Sequence, residues 1–242
     1  MNLRPPDAFD LDHVGSAGGS VASALNRSGM CRHVLNFSAI ASAPVAAEPF
    51  PFLTATGVLD PVALSAINAD FPDIRKPGIF PVSDLVYGRA FEELVEDIEG
   101  AEIEALLSDK FDVNLSGRPL MVTVRGFCRA RDGRIHNDSK DKVVTSLLYL
   151  NVHGWNADGG RLRFLRNDRD LDSTIAEIAP DGGNFVAFRR TEDSWHGHHS
   201  YAGPRRYVMF NWLVSDGAFV KNVGRHKLSA AFKRISMFDS DY

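Results

Sequence analysis

Side chains suited to holding a metal ion are concentrated at two places in this chain of 242 residues. One is Arg134-Ile135-His136-Asn137-Asp138-Ser139; the other is Ser194-Trp195-His196-Gly197-His198-His199. In an extended segment side chains alternate between faces, so His136 and Asp138 point one way and Asn137 the other. An imidazole and a carboxylate held side by side, joined by one histidine of the second segment, form a 2-His-1-carboxylate triad. Such a triad grips one face of an iron(II) ion and leaves positions open for substrates. A His-x-Asp by itself is common on surface turns. Its weight here comes from the roughly 60 residues before the histidine cluster, enough chain to travel around a barrel and return to the same mouth.

Beyond the cluster, the run Arg205 to Ser215 separates by parity. Arg206, Val208, Phe210, Trp212 and Val214 share one face, and Arg205, Tyr207, Met209, Asn211 and Leu213 the other. The first row is apolar apart from its leading arginine, so it is read as the inward row. A guanidinium at that place suits bidentate capture of a ligand carboxylate. The other reading has Arg206 at the strand end paired with a protein acid. In Val143 to Leu150, Thr145, Leu147 and Tyr149 share a face and offer two hydroxyls to the same carboxylate.

The elements that would carry these residues follow from composition and pattern. With 44% hydrophobic and 24% charged residues the chain can bury a core, and a net charge of −4 gives no bias toward nucleic acid or an anionic membrane. No run approaches the ~20 apolar residues of a membrane-spanning helix. The N-terminus lacks the pattern of a secretory signal, so a cytoplasmic protein is expected. Two cysteines, Cys31 and Cys128, supply neither a disulfide scaffold nor a thiolate zinc site. There is no Gly-x-Ser-x-Gly and no Gly-x-x-x-x-Gly-Lys, which counts against serine-hydrolase and nucleotide-binding chemistry.

Residues 1–48, rich in Gly, Ala, Ser and Pro, read as a weakly structured arm with at most a short strand over Val34 to Ile40. Residues 49–242 read as a single catalytic domain. Its helical lead-in, 60–111, starts at Asp60-Pro61 and includes helices over Gly88 to Glu99 and Ala101 to Phe111. The acids Glu92, Glu93, Glu96, Asp97, Glu99, Glu102 and Glu104 fit a solvated helix face. From Pro119 the texture turns to β. Runs at Leu120–Arg129, Val143–Leu150, Arg161–Leu165, Thr174–Ile178, Asn184–Arg189 and Arg205–Ser215, with the segments around His136 and Trp195–Tyr201, give about eight short strands. The fold expected is mainly β with flanking helices around a double-stranded β-helix, a jelly-roll or cupin-like core over 119–216, closed by a helix at 225–236.

The order His136-x-Asp138, Val144-Thr145-Ser146-Leu147-Leu148-Tyr149-Leu150-Asn151, Trp155, Asp158-Gly159-Gly160-Arg161-Leu162, His196 and Arg206-Tyr207 resembles the iron(II)- and 2-oxoglutarate-dependent dioxygenases. The likeness, strongest to their prolyl-hydroxylase-like branch, covers about residues 119 to 216. It implies a double-stranded β-helix and iron(II) bound by His136, Asp138 and His196. It also implies 2-oxoglutarate held by Arg206 with help from Tyr149 and Thr145, O2 as cosubstrate, and ascorbate as a possible aid. Among the clustered histidines, His196 is favoured over His198 because it stands ten residues before Arg206, a spacing near that of the family. Arg205 is the runner-up for the carboxylate, His198 a pocket residue, and His199 outward-facing.

The activity implied is oxidative decarboxylation of 2-oxoglutarate coupled to hydroxylation of a small molecule or protein side chain. Trp155, Arg125, Arg129, Arg131, Trp195 and His198 stand to border the mouth, and their arginines hint at an acidic or polar substrate. Two alternatives are a cupin-like metal enzyme that works without 2-oxoglutarate and a non-catalytic β-helix binding domain. The inward arginine separates the first of these from the main reading, and an iron titration the second.

Overall fold

The computed structural model describes residues 33–222 and 224. Most of the expected arm and the expected closing helix at 225–236 lie outside the described residues. The helices are α1 (Phe37–Ser42), α2 (Pro61–Ala69), α3 (Arg89–Glu99), α4 (Ala101–Phe111) and α5 (216–222). The strands are β1 (Val45–Ala46), β2 (Phe52–Ala55), β3 (Phe80–Pro81), β4 (Leu120–Cys128), β5 (Lys142–Tyr149), β6 (Leu162–Leu165), β7 (Thr174–Ile178), β8 (Phe185–Arg189), β9 (His196–Gly197) and β10 (Gly203–Leu213).

Local chemistry sets several of these boundaries. Asp60 caps α2 by accepting the Ala63 N–H at 2.8 Å, and Pro61 follows at the first turn, where a missing N–H costs nothing. In α3 the stripe Phe91, Leu94, Val95 and Ile98 is buried. Asp112 ends α4 in the left-handed region, φ 47°.

Among the described residues, ten strands form two sheets. The larger runs β1-β2-β8-β5-β10-β4-β3 and the smaller β7-β6-β9. The named pairs are antiparallel, as a jelly-roll requires. The larger sheet buries both faces, each for a different partner. Val122, Val124, Val144, Leu148, Val208, Phe210 and Trp212 pack against the helices. Leu147, Tyr149, Val186, Phe188 and Tyr207 face Leu162, Phe164 and Ile178 of the smaller sheet, and Phe50 and Phe52 join them. The inside of the barrel is thus the less apolar face of β10.

Residues 33–48 depart from expectation. Instead of a short strand they form α1, with Leu35, Phe37 and Ile40 in the core. Their anchor is Asp97. Its carboxylate accepts the backbone N–H of Val34 (2.6 Å) and Leu35 (2.9 Å) and lies 2.7 Å from His33 Nδ1. Asp97, expected on a solvated face, is therefore buried. Strands β1 and β2, also unanticipated, extend the larger sheet, β2 pairing with β8 and β1 with β2.

Candidate active site

The two metal-binding segments meet across a single backbone bridge. The His136 N–H donates to the His196 carbonyl and the His196 N–H to the His136 carbonyl, both at 3.0 Å. This sets their rings 4.2 Å apart. His136 Nδ1 lies 2.9 Å from the Arg134 carbonyl and His196 Nδ1 2.9 Å from the Ser194 carbonyl. A carbonyl can only accept, so each Nδ1 carries a proton, and Nε2 is the ring nitrogen left for a metal. Asn137 turns the other way. Its amide donates to the carbonyls of Thr191 (2.8 Å) and Glu192 (2.6 Å) and accepts from Ser194 Oγ (2.7 Å), tying the His136 segment to the turn before His196.

Asp138 completes the group: one potential ligand atom from each of His136, Asp138 and His196 lies within 4.8 Å of the others. Both its oxygens are engaged, Oδ1 by Lys142 Nζ at 2.8 Å and Oδ2 by Thr145 Oγ1 at 2.6 Å. Burial would raise its carboxyl, but the Lys142 charge and these hydrogen bonds outweigh burial and hold it well below the usual range. Burial, with the neighbouring His136, lowers His196 to about 4, so it is neutral at pH 7. Two imidazoles that turn Nδ1 to backbone carbonyls and one ionised carboxylate converge as the nitrogen-and-oxygen donor set that suits iron(II), so these residues fit the metal.

The triad opens into a cavity of about 430 Å³ whose lining includes Thr145, Leu147, Leu162, His198, Arg205, Tyr207 and Met209. Arg205 is only 3% exposed. Its Nε donates to the Gly160 carbonyl at 2.8 Å and its Nη2 to Tyr149 Oη at 3.2 Å, and it lies 5.2 Å from the ring centroids of both Tyr149 and Tyr207. Among the described residues no carboxylate is within ion-pairing distance of it. Burial pushes the Tyr149 hydroxyl up to about 12, so it keeps its proton.

Arg206 is where the sequence reading is corrected. Its Nη1 donates to Asn68 Oδ1 at 2.9 Å on α2, and its guanidinium lies 4.7 Å from the Phe71 centroid, among the helices. Parity along β10 is as expected, but the apolar row Val208, Phe210, Trp212 faces the helical layer and the row Arg205, Tyr207, Met209 faces the cavity. The greasier face is the helix-packing face because helices cover it fully, whereas a ligand cavity needs polar groups on its wall.

Thr145 shares the inward face of β5 with Leu147 and Tyr149, as expected, yet its hydroxyl serves Asp138 rather than Arg205. Asn211 stands behind it, 2.9 Å from Thr145 Oγ1. Tyr149 backs Arg205. His198 lines the cavity, with Nδ1 2.8 Å from the His199 carbonyl, and Gly133 lies flat against its ring. His199 faces out, 2.8 Å from Asp172.

Of the residues expected at the mouth, Arg125 and His198 line the cavity, while Arg129, Arg131, Trp155 and Trp195 do not. Arg125 is paired with Asp132 at 2.8 Å. Lys142, Asn222 and Ile79 were not singled out by sequence. Only Lys142, one helical turn's spacing after Asp138, carried any local signal, and in a β context that spacing has no meaning.

The comparisons bear on this arrangement. The family model described as the 2OG-Fe(II) oxygenase superfamily matches residues 126–214, which contain the triad and both arginines. No curated protein matches the chain by sequence. Among solved structures, a Pseudomonas putida prolyl-4-hydroxylase has 16% identity and a TM-score of 0.51, with 75% of this chain and 93% of that chain covered. Streptomyces hygroscopicus HygX with nickel and 2-oxoglutarate bound has 12% identity and a TM-score of 0.47, with 67% and 81% covered. The first supports the fold, and no helix among the described residues is long and apolar enough to cross a membrane. The segment that folds into the barrel and carries the triad, residues 126–214, thus matches the 2OG-Fe(II) oxygenase superfamily, the iron(II)- and 2-oxoglutarate-dependent dioxygenases.

Proposed function

We propose that His136, Asp138 and His196 bind iron(II), that Arg205 holds the distal carboxylate of 2-oxoglutarate, and that the chain hydroxylates a separate substrate at the same cavity. One observation carries this reading: a buried guanidinium with no acid partner among the described residues opens into the cavity that holds the triad. A buried charge left unpaired is costly, and a ligand carboxylate is the group that would relieve it. Tyr149 orients the guanidinium from behind and keeps a hydroxyl proton to donate. Leu147, Leu162 and Tyr207 supply apolar wall between the triad and Arg205, the side on which a short aliphatic chain would lie.

With iron and 2-oxoglutarate bound, the chemistry supplied is that of the family: O2, 2-oxoglutarate and a C–H bond become succinate, CO2 and an alcohol. The protein's residues would hold the metal and 2-oxoglutarate in place and line the cavity around them. Purified protein given iron(II), ascorbate and 2-oxoglutarate is expected to form succinate slowly without a primary substrate, and Asp138→Ala to abolish it. A wild-type protein that neither binds 2-oxoglutarate nor forms succinate would refute the reading. The inward guanidinium argues against a cupin-like enzyme that dispenses with 2-oxoglutarate, since such an enzyme has no use for it.

A further inference from the structure

The charged side chains lining the cavity are Arg125, Asp138, Lys142 and Arg205. Arg125 lies 2.8 Å from Asp132, a carboxylate it shares with Arg129 and keeps when a metal binds, since Asp132 is outside the triad. On the proposed function, on which this inference rests, Arg205 receives the distal carboxylate of 2-oxoglutarate and Asp138 gives its charge to the metal. That leaves Lys142. Its side chain is 11% exposed, and Asp138 Oδ1, 2.8 Å away, is the one acid paired with it among the described residues. A nearly buried ammonium that must share its carboxylate with a divalent ion is short of negative charge and faces a like charge close by.

The position of Lys142 decides which ligand can make up that deficit. It lies at the start of β5 and Tyr149, the residue bonded to Arg205, at its end. At about 3.3 Å per residue the strand separates them by roughly 20 Å, with Thr145 and the Asp138 carboxylate between. Lys142 therefore stands beyond the triad from Arg205, out of reach of the distal carboxylate. Ser139 and Asn222 line the cavity with it. Asn222 is held there by donating its amide to the Ala218 carbonyl at 2.7 Å, within α5.

We propose that Lys142 is a substrate-binding residue that receives an anionic group, a carboxylate or a phosphate, on the molecule to be hydroxylated. In the metal-free protein Asp138 holds the ammonium at the site; with the metal bound, the substrate anion takes over as its counter-ion. The cavity so arranged selects against neutral and cationic substrates.

The test uses manganese(II), which occupies such sites without turnover, in the full-length protein under anaerobic conditions with 2-oxoglutarate. The probes are acetate and inorganic phosphate, observed by the metal-induced relaxation of the acetate methyl protons and the phosphate 31P nucleus. Bound manganese is counted by electron paramagnetic resonance in every sample. The wild type is expected to show saturable relaxation per bound manganese for at least one probe, and which probe saturates at lower concentration distinguishes a carboxylate from a phosphate. Lys142→Gln should weaken the effect at least tenfold and Lys142→Arg should restore most of it. Relaxation equal in wild type and Lys142→Gln would place the anion on the metal, and relaxation abolished by raising 2-oxoglutarate would place it at Arg205. Either result overturns the proposal, as does an absence of relaxation in the wild type. If the wild type fails to bind manganese or 2-oxoglutarate, the proposed function itself fails, and the manganese count and a direct 2-oxoglutarate titration show this separately.

Discussion

Replacing Arg205 or Arg206 by methionine separates the two arginines that stand side by side in sequence and on opposite faces of β10. Removing one partner of a buried, hydrogen-bonded charge pair costs about 2–5 kcal/mol. At about 1.4 kcal/mol per tenfold, Arg205→Met is expected to weaken 2-oxoglutarate binding by roughly 30- to 4,000-fold. A thermal shift with manganese present reads this directly. Ligand at about 100 times its dissociation constant stabilises the fold by about 2.7 kcal/mol, and a 100-fold loss of affinity reduces that to about 0.4 kcal/mol. With about 2–4 °C per kcal/mol for a domain of this size, the wild type should gain roughly 5–10 °C on adding 2-oxoglutarate, and Arg205→Met no more than about 2 °C at a 100-fold loss and about 4 °C at the 30-fold bound. Arg206→Met loses its bond to Asn68 and its contact with Phe71. Its melting temperature should fall, by about 1–3 kcal/mol of stability, with the 2-oxoglutarate shift retained. The opposite pattern, a shift lost in Arg206→Met and kept in Arg205→Met, would refute the assignment of faces.

Three further outcomes follow from the same geometry. Thr145→Val removes the hydroxyl from Asp138 Oδ2 at nearly constant shape and is expected to weaken manganese binding roughly 10- to 100-fold, measured by paramagnetic titration; unchanged affinity would show that the bond does not orient the carboxylate. Gly133 has φ +85°, and a β-carbon there would lie 2.3 Å from His198 Cε1. Gly133→Ala should therefore cost about 2–5 kcal/mol in denaturant unfolding, from left-handed strain plus overpacking, and a cost below about 0.5 kcal/mol would contradict the packing described. Burial, with the nearby Arg205 and Arg125 charges, lowers His198 to about 4, against an ordinary value of 6.5. Because the unfolded chain takes up this proton first, the metal-free protein keeps its full stability above about pH 6.5 and loses up to about 3 kcal/mol from this group as the pH falls toward 4. His198→Asn should flatten that acid limb in melts run across the interval; an equally steep limb would exclude His198 as its source.

Local pattern made much of the barrel legible. The period-2 runs from Leu120 to Ser215 coincide within a residue or two with β4 to β8 and with β10, whereas Trp195–Tyr201 yields only the two-residue β9 and the segment around His136 a single bridge; Asp60-Pro61 marks the start of α2. These features depend on neighbours in sequence: alternation, turn residues and an N-cap. Residues 33–55 escaped the same reading because their one local signal, the Asn36 cap of the six-residue α1, is too slight to order them alone. Their structure depends on Asp97, far along the chain, accepting the backbone of Val34 and Leu35, and on β8 pairing with β2. Asp97 in turn looked like one acid among seven on α3 and α4, since a carboxylate's burial is set by what packs over it.

The sequence by itself determined which residues can meet. His136 and Asp138 share a side, Thr145, Leu147 and Tyr149 share a face, and Arg205 and Arg206 cannot both point inward, because the two-residue period of an extended chain is a property of the backbone. Only the tertiary structure decided which of β10's two faces lines the cavity. A strand of period 2 presents two candidate rows, and a one-residue change of register exchanges them. The choice was made by the helices, which cover the more apolar row and leave Arg205, Tyr207 and Met209 to the barrel. Hydrophobicity marks a face as buried, but it does not say whether another layer of the fold or a ligand will cover it.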